Sequence, residues 1–386
     1  MPTLPLSGVK VLDLSRVLAG PWASQMLADL GATVIKIEKP GAGDDTRGWG
    51  PPWVTDAAGN ATKESAYFLC ANRGKQSVTV DITTPAGQAH VQRLARECDV
   101  LVENYKVGGL AKYGLDFANI RKLNPRLVYC SITGFGQTGP YKDRAGYDFM
   151  IQGLGGLMSI TGEKDTLPGG GPQKVGVAVV DLFTGMYSAV AILAALRHRD
   201  ATGEGQHIDM ALLDCSVAML ANVASNYLVS EKVPQRMGNA HPNIVPYQAF
   251  RCRDGFLILA VGNDEQFARF CAEAGLRDVA ADARFTRNQG RVEHREALIP
   301  FIEAVFPTRD RDDWLAAFER LGIPAGPINS IDQVFADPQV IARGLRIDLP
   351  HPTAGTVPGV ANPIRFSATP LVHERAPPVL GQDGSV

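Results

Sequence analysis

The chain is poor in features that mark secreted or metal-binding proteins. Its six cysteines lie far apart without a C-x-x-C pair, which argues against a zinc site and against a disulfide framework. We therefore expect no bound metal, and a reducing compartment, the cytoplasm, fits best. The first residues also lack the charged and apolar regions of a signal or transit peptide, so none is expected.

Neither sign of charge is in surplus. The 38 Lys and Arg residues nearly balance the 40 Asp and Glu residues, which leaves a net charge of −2. We therefore expect no nucleic acid and no anionic membrane as partner, and an anionic ligand must be met by local cations. The longest uncharged apolar run, residues 182–196, is too short to span a bilayer.

Short β-type runs alternate with helical segments in the first third of the chain. This alternation predicts an open α/β sheet with parallel strands. The fingerprint G-x-G-x-x-G is missing from the first strand-to-helix turn, which argues against an NAD-dependent dehydrogenase. The predicted strands are Val9–Leu14, Thr33–Ile37, Ser77–Val80, Val100–Val102 and Leu127–Ile132, and the predicted helices are Ala23–Leu30 and Pro85–Cys98.

The remainder of the chain changes character twice. A long apolar helix over Leu212–Val229 could connect two domains, and a hairpin with amphipathic helices follows from about Met237. We expect a large Rossmann-like domain over residues 1–200, a linker over 201–236 and a small α+β domain over 237–330. A proline-rich segment, 331–386, would return to the large domain, with a strand over Val360–Phe366.

Asp181 stands alone between an apolar strand-like run and an apolar helix that begins at Leu182. This position predicts an N-cap, where backbone N–H groups and the helix dipole keep a carboxylate ionised, as a carboxylate nucleophile requires. Asp is a preferred N-cap residue in any helix, so position alone also fits a purely structural cap.

Several cations follow the strands of the first domain. Ligands of open α/β sheets bind beyond the carboxyl ends of the strands, where gathered cations would suit a polyphosphate. The alternative is that these are scattered solvated charges. The residues are Arg16, Lys39, Arg73, Lys75, Lys106, Lys112 and Lys142.

The order and spacing of six segments resemble the class III CoA-transferases, the group of formyl-CoA and carnitine CoA-transferases. The segments are Val17–Pro21, Val34–Asp44, Asn72–Lys75, Val102–Tyr105, Gly134–Gly136 and Asp181. The resemblance runs nearly end to end. It implies a Rossmann-like large domain, a small domain and long linkers that form a ring, with two rings interlocked as a homodimer. It also implies acyl-CoA and small carboxylic acids as substrates, with no permanently bound cofactor.

In the family, the aspartate that matches Asp181 attacks the acyl-CoA thioester and becomes first an acyl anhydride and then an aspartyl-CoA thioester. The turn Val17–Ala19 lies beside the reacting carbonyl, although Leu18 stands where formyl-CoA transferase has a glutamine. The positions that match CoA contacts are Arg16, Val17, Ala19, Lys39, Asn72, Arg73, Lys75, Asn104, Tyr105, Lys112 and Lys142.

Within that family, four segments look most like the succinate–hydroxymethylglutarate (glutarate) CoA-transferases. They are Gly43–Pro52, Cys130–Gly134, Arg144–Asp148 and Ile244–Phe250. The likeness favours succinyl-CoA as donor and a dicarboxylate as acceptor, whose second carboxylate Arg144, or less favourably Arg47, would bind in a bidentate pair. His241 is a further candidate that could close over the site from the small domain.

Two other functions remain open. An α-methylacyl-CoA racemase shares the fold and the aspartate, but the position of its second base is Tyr147 here, and a phenol is a poor base at neutral pH. A noncatalytic CoA-binding protein would bind its ligand without needing Asp181.

Overall fold

The computed structural model describes residues 4–56 and 58–386. The strands are β1 (Lys10–Asp13), β2 (Thr33–Glu38), β3 (Trp53–Thr55), β4 (Ala61–Ser65), β5 (Lys75–Thr79), β6 (Val100–Glu103), β7 (Val128–Thr133), β8 (His207–Ala211), β9 (Tyr247–Arg251), β10 (Phe256–Ala260), β11 (Ala325–Pro327), β12 (Arg346–His351) and β13 (Gly355–Val360). The helices are α1 (Ala19–Asp29), α2 (Ala66–Cys70), α3 (Pro85–Glu97), α4 (Phe117–Leu123), α5 (Asp148–Leu154), α6 (Leu157–Ile160), α7 (Val179–Thr202), α8 (Leu212–Met219), α9 (Ala221–Ser230), α10 (Asp264–Glu273), α11 (Arg277–Ala281), α12 (Asn288–Glu293), α13 (Arg295–Val305), α14 (Arg311–Arg320), α15 (Ile331–Ala336) and α16 (Pro338–Ala342).

The main sheet has six parallel strands in the order β5-β2-β1-β6-β7-β8. The chain runs outward from β1 to one edge, returns to β6 and then runs to the other edge, which is the Rossmann strand order. The predicted parallel α/β sheet is therefore confirmed. The strand order reverses between β1 and β6, and this switch point is where open sheets bind ligands.

Both faces of the sheet are buried, which is why its central strands contain consecutive apolar residues such as Val11 and Leu12 in β1 and residues 100–102 in β6. Val11 of β1 packs in one core with Leu27 of α1 and Ile192 of α7. Its neighbour Leu12 points to the opposite face, where it packs with Val91 of α3. Each fully buried side chain of this kind stabilises the fold by about 1.5–3 kcal/mol.

Helix α7 spans 24 residues and begins before Asp181, so it is longer than the predicted apolar run. By length and composition it could cross a membrane, as could the bent pair α8–α9, but buried core helices pass the same test. Length therefore does not exclude a membrane span for this helix, contrary to the expectation from residues 182–196. The packing of Val180, Ile192 and Leu196 in the core is what assigns α7 to the fold instead.

The chain divides into two units. The first contains the chain up to Leu157, Val175–Leu220 and Asp337–Val386, and the second contains Met158–Lys174 and Ala221–Ala336. The division differs from the expected boundaries because residues 158–174 belong to the second unit. The predicted long helix over Leu212–Val229 is also broken, since α8 ends at Met219 and α9 begins at Ala221, whose φ is +43°.

The second unit has its own core. Its antiparallel sheet has the order β11-β10-β9, and the predicted hairpin is its β9–β10 pair. Phe250 and Leu257 of this hairpin pack against Phe306 and Trp314. The first unit is completed by the C-terminal segment, in which Val386 and Gly384 exchange backbone hydrogen bonds with Thr79 at the β5 edge.

The predicted strand over Val360–Phe366 was wrong. The strands of this part of the chain are β12 and β13, which form a hairpin that ends at Val360, where the predicted strand would begin. Pro363 lacks an N–H for a strand ladder, and the Asn362 side chain donates to Asp29 of α1 rather than lying along a strand.

Candidate active site

Asp181 is the third residue of α7, inside its first turn. The N-cap is Ala178, which makes no side-chain capping bond. The prediction that Asp181 lies near the helix start is confirmed, but it does not cap the helix.

The capping group comes from another helix. Asp148, the first residue of α5, accepts hydrogen bonds at Oδ1 from the backbone N–H groups of Val180 at 2.8 Å and Asp181 at 3.4 Å. Its Oδ2 accepts from Gln152 Nε2 at 2.7 Å, and Gln152 in turn accepts from the Val175 N–H. The backbone donors at the start of α7 therefore serve Asp148, not Asp181.

This arrangement reverses the expected charge preference of Asp181. Burial raises the pKa of Asp181 to about 7, and the neighbouring Asp148 carboxylate adds to the rise. We expected donors and dipole to hold Asp181 ionised, and that was wrong because Asp148 takes the donors and no cation within residues 4–56 and 58–386 balances the charge. At neutral pH the carboxyl is near its midpoint, which suits a group that must both attack and leave.

Tyr67 of α2 also belongs to this site. Burial raises its pKa to about 12, and the charges of Asp181 and Asp148 contribute. Its ring meets the Trp49 ring edge to face, with centroids 5.1 Å apart. Tyr67 therefore stays a neutral phenol beside Asp181.

The turn that precedes α1 lies close to α7. A Cβ added to Gly185, one helical turn after Asp181, would come within 2.7 Å of the Ala19 carbonyl oxygen. This absence of a side chain lets the two helices approach. Leu18 is the N-cap of α1 and has no side-chain cap, and it is buried like Ala19.

Other predicted contacts lie at the switch point of the sheet. Arg16 and Val17 follow β1, and Asn104 and Tyr105 follow β6. The Arg16 guanidinium pairs with Asp45 at 2.9 Å and lies 5.3 Å from the centre of the Tyr105 ring. The cations Lys39, Lys112 and Lys142 are exposed on the same unit, so their predicted contacts with CoA phosphates stay predictions.

Four residues that were predicted to contact a ligand are instead buried, and their side chains already pair with other residues of the protein. Arg47 binds Glu38 bidentately at 2.8 Å, and Arg73 binds Asp29 at 2.6 Å. The Lys75 ammonium lies 3.1 Å from Asp13 and 2.8 Å from the Asn72 side chain. Arg47 therefore has no guanidinium edge left for a substrate carboxylate, and Asn72, Arg73 and Lys75 support the β5 end of the sheet from within.

Arg144 remains the better candidate for a second substrate carboxylate. Its guanidinium is exposed and lies 4.5 Å from the centre of the Tyr141 ring. No carboxylate within residues 4–56 and 58–386 pairs with it at salt-bridge distance. Tyr147, directly before Asp148, is 66% exposed.

His241 lies in the second unit. Its ring is 5.2 Å from that of Tyr247, and burial together with Arg295 lowers the pKa of the imidazole. Its role at the site stays a prediction.

Sequence reasoning missed Asp148 and Tyr67. Asp148 lay within the segment that carried the resemblance, immediately after Tyr147, and an acidic residue there was a usable signal. Nothing local showed that the start of α5 meets the start of α7, because the two aspartates are 33 positions apart.

Comparisons with known proteins agree along the whole chain. A model of CoA-transferase family III matches residues 6–384. A relative from Agrobacterium fabrum, named succinate–glutarate CoA-transferase, is 56% identical over 378 residues, which are 98% of this chain and 93% of that protein. A relative from Homo sapiens, named succinyl-CoA:glutarate CoA-transferase, is 46% identical over 380 residues, 98% of this chain and 84% of that protein. The crystal structure of a CAIB/BAIF family protein from Brucella suis superposes with a TM-score of 0.86 at 52% identity and covers 99% of this chain and 98% of that one.

Proposed function

Because the chain belongs to CoA-transferase family III and is an enzyme that transfers coenzyme A, we propose that it moves coenzyme A from succinyl-CoA to glutarate or a related dicarboxylate. The names of the relatives from Agrobacterium fabrum and Homo sapiens support this choice of substrates. The observation that carries the proposal is Asp181, a carboxyl in the first turn of α7 that has no cation partner in the described part of the chain and whose pKa burial raises to about 7.

The reaction begins when the ionised Asp181 attacks the carbonyl carbon of succinyl-CoA. The C–S bond breaks, the CoA thiolate leaves, and Asp181 carries a mixed succinyl anhydride. The thiolate then attacks the Asp181 carbonyl, which forms an aspartyl-CoA thioester and releases succinate. The incoming dicarboxylate repeats these steps in reverse, so coenzyme A is a substrate throughout.

The surroundings of Asp181 support each charge change. Ionised Asp181 is a stronger nucleophile because burial and Asp148 raise its pKa. The N–H groups of Leu18 and Ala19, at the start of the helix packed against α7, would stabilise the oxyanion of each tetrahedral intermediate. The Arg144 guanidinium would bind the distal carboxylate of the acid.

Trapping of the covalent intermediate tests the proposal. The protein is incubated with succinyl-CoA and quenched with hydroxylamine, and the modified peptide is mapped by mass spectrometry. We expect a hydroxamate on Asp181 that is absent from Asp181→Ala. If Asp181 stays unmodified with succinyl-, oxalyl-, formyl- and methyl-branched acyl-CoAs, the proposed mechanism is refuted. If the acyl-CoA exchanges its α-proton and no CoA is transferred, the enzyme is a racemase.

A panel of acceptor acids tests the substrate class. Glutarate and hydroxymethylglutarate should be better acceptors than formate or butyrate. Arg144→Gln should raise the KM for glutarate about tenfold or more and leave that for butyrate nearly unchanged. Arg197→Gln, at an exposed arginine of α7, is the matched control. A preference for monocarboxylates would exclude the dicarboxylate assignment.

The same proposal includes an interlocked homodimer of ring-shaped chains. Helix α7 supports it with an exposed apolar stripe at helical spacing, formed by Phe183, Met186, Tyr187 and Val190. A second copy would cover this stripe. Light scattering should give about twice the chain mass of 41.4 kDa, and a monomer at micromolar concentration would contradict the dimer.

We also propose a cytoplasmic location. All six cysteines are free thiols, which supports a reducing compartment. Fractionation of cells that express the tagged protein tests this.

A further inference from the structure

The turn between β1 and α1 is anchored across the switch point by one side chain. Asn104, the residue after β6, accepts at Oδ1 from the Arg16 N–H at 2.9 Å and donates from Nδ2 to the Arg16 carbonyl at 2.7 Å. Both ends of its amide are therefore used on the backbone of a single residue. These two bonds use one of the two N–H donors of the amide and one of the two lone pairs of its oxygen.

A second anchor holds the other side of the turn. Asp44, buried after β2, accepts at Oδ1 from the Val17 N–H at 3.2 Å. Its Oδ2 accepts from Lys36 Nζ at 2.8 Å, and the same ammonium donates to the Ser15 carbonyl at 2.8 Å. Side chains thus satisfy the backbone groups of the turn that a helix or sheet would otherwise pair.

The anchored turn contains an unfavourable backbone conformation. Val17 has a φ of +69°, and it is one of three non-glycine residues with positive φ in residues 4–56 and 58–386. A β-branched residue is especially disfavoured in this region. Strain of this kind persists when the surroundings fix it, and it clusters at functional sites.

The turn also leads into a helix that packs against α7, which carries the reactive carboxyl. It leads directly into Leu18 and Ala19, and the Ala19 carbonyl faces Gly185 of α7. The charges of Asp44 and Asp181 both act on the Tyr67 phenol. A shift of the turn would therefore move backbone groups that pack against the first turns of α7, the helix that carries Asp181.

We propose that Asn104 and Asp44 act as a turn clamp, which holds Val17 in its left-handed conformation and thereby sets the position of the Leu18 and Ala19 N–H groups against the acyl group on Asp181. Asn104 is then a positioning residue rather than a CoA ligand. The inference rests on the proposed function, since it assigns these N–H groups to the covalent steps.

Asn104→Ala removes both bonds to Arg16 and is the first test. We expect kcat for succinyl-CoA and glutarate to fall about 10- to 100-fold, because small misplacements of transition-state donors cost rates of this order. The Kd for CoA should stay within about twofold. Asn104→Asp, which keeps the acceptor but loses the donor, should lose less kcat. Asn119→Ala, which removes an amide of the same unit that bonds to Asp116, is the matched control.

The double variant Val17→Gly with Asn104→Ala gives the decisive readout. Glycine adopts positive φ without a steric penalty, so it should keep the turn in place without the clamp and recover at least about threefold of the lost kcat. Val17→Gly alone should raise Tm because it removes the strain. If Asn104→Ala proves too unstable to assay, the same rescue is measured with Asn104→Asp.

The opposite results would overturn the inference. If Asn104→Ala raises the Kd for CoA and leaves kcat unchanged, Asn104 binds CoA directly. If Val17→Gly does not recover the kcat that Asn104→Ala loses, the clamp does not act by holding φ at Val17. These outcomes are separable from failure of the proposed function. In that case the wild-type protein itself would form no adduct on Asp181 and transfer no CoA.

Discussion

Two carboxyls of the first unit, the fully buried Asp13 and the half-buried Asp181, differ in pKa in opposite directions. Burial alone would raise the pKa of Asp13, at the end of β1, but Lys75, Lys36 and the hydroxyls of Ser15 and Ser24 lower it to about 2. Burial raises the pKa of Asp181 to about 7, and its charged neighbour, the Asp148 carboxylate, adds to this rise instead of offsetting it. The comparison shows that partners, not burial, decide which carboxyl is structural and which is reactive.

Mutation of the reactive carboxyl, Asp181, should change the rate of catalysis. Asp181→Ala removes the nucleophile and should lower kcat at least about 1,000-fold, with little change in the Kd for CoA. Steady-state kinetics and CoA titration measure both. Asp214→Asn, at the exposed third residue of α8, is the matched control. An Asp181→Ala variant with near-normal transfer would remove Asp181 from the mechanism.

Mutation of the structural carboxyl, Asp13, should change the stability of the folded protein. Asp13→Asn leaves the buried Lys75 ammonium without its carboxylate partner, which should lower the free energy of unfolding by about 3–5 kcal/mol. The loss should shrink as pH rises above 8, because burial already lowers the pKa of Lys75 to about 8 and its neutral form needs no partner.

Urea and thermal unfolding at pH 7 and pH 9.5 measure this loss. Asp310→Asn, which breaks an exposed pair with Arg253, serves as control and should change Tm little. An Asp13→Asn protein as stable as the wild type would show that the buried pair is not needed.

The pKa of Asp181 should be adjustable through its neighbour. Asp148→Asn removes the like charge but keeps an oxygen that can accept from the Val180 N–H. The midpoint of the rising limb of kcat against pH should move down by about one pH unit. Asp143→Asn, in the same exposed segment, should leave the profile in place, and an equal shift in both variants would point to a general charge effect.

The smallest effect concerns the stability cost of the reactive carboxyl. A carboxyl whose folded pKa lies above its unfolded value loses stability as pH rises between the two values. Asp181→Asn does not titrate, so its Tm should exceed that of the wild type by about 2 °C at pH 8, with the gap closing between pH 7 and pH 4. A destabilised variant at pH 8 would mean that ionised Asp181 has a stabilising partner.

Local pattern was enough to predict the sheet. The strands β1, β2, β6 and β7 contain consecutive apolar residues because both faces of the sheet are covered, and such residues show in the sequence wherever they occur. The break between α8 and α9 escaped prediction because the apolar pattern continues through it, while the backbone turns at Ala221.

The charge states of the site depended on contacts between distant residues. Asp181 was identified from its position, but the backbone N–H group of Val180 beside it donates to Asp148. Arg47 was predicted to bind the substrate, but its guanidinium pairs with Glu38 instead. Spacing along the chain does not reveal which carboxylate a cation or an N–H group will meet in the fold.

The most direct test is the pH dependence of the first covalent step in the wild-type protein. Release of CoA from succinyl-CoA in a single turnover is followed between pH 4.5 and pH 9 without acceptor acid. A rate that rises with a midpoint near pH 7 is predicted, because Asp181 must ionise before it attacks. A rate that is flat above pH 5 would mean that Asp181 has an ordinary pKa and would contradict the account.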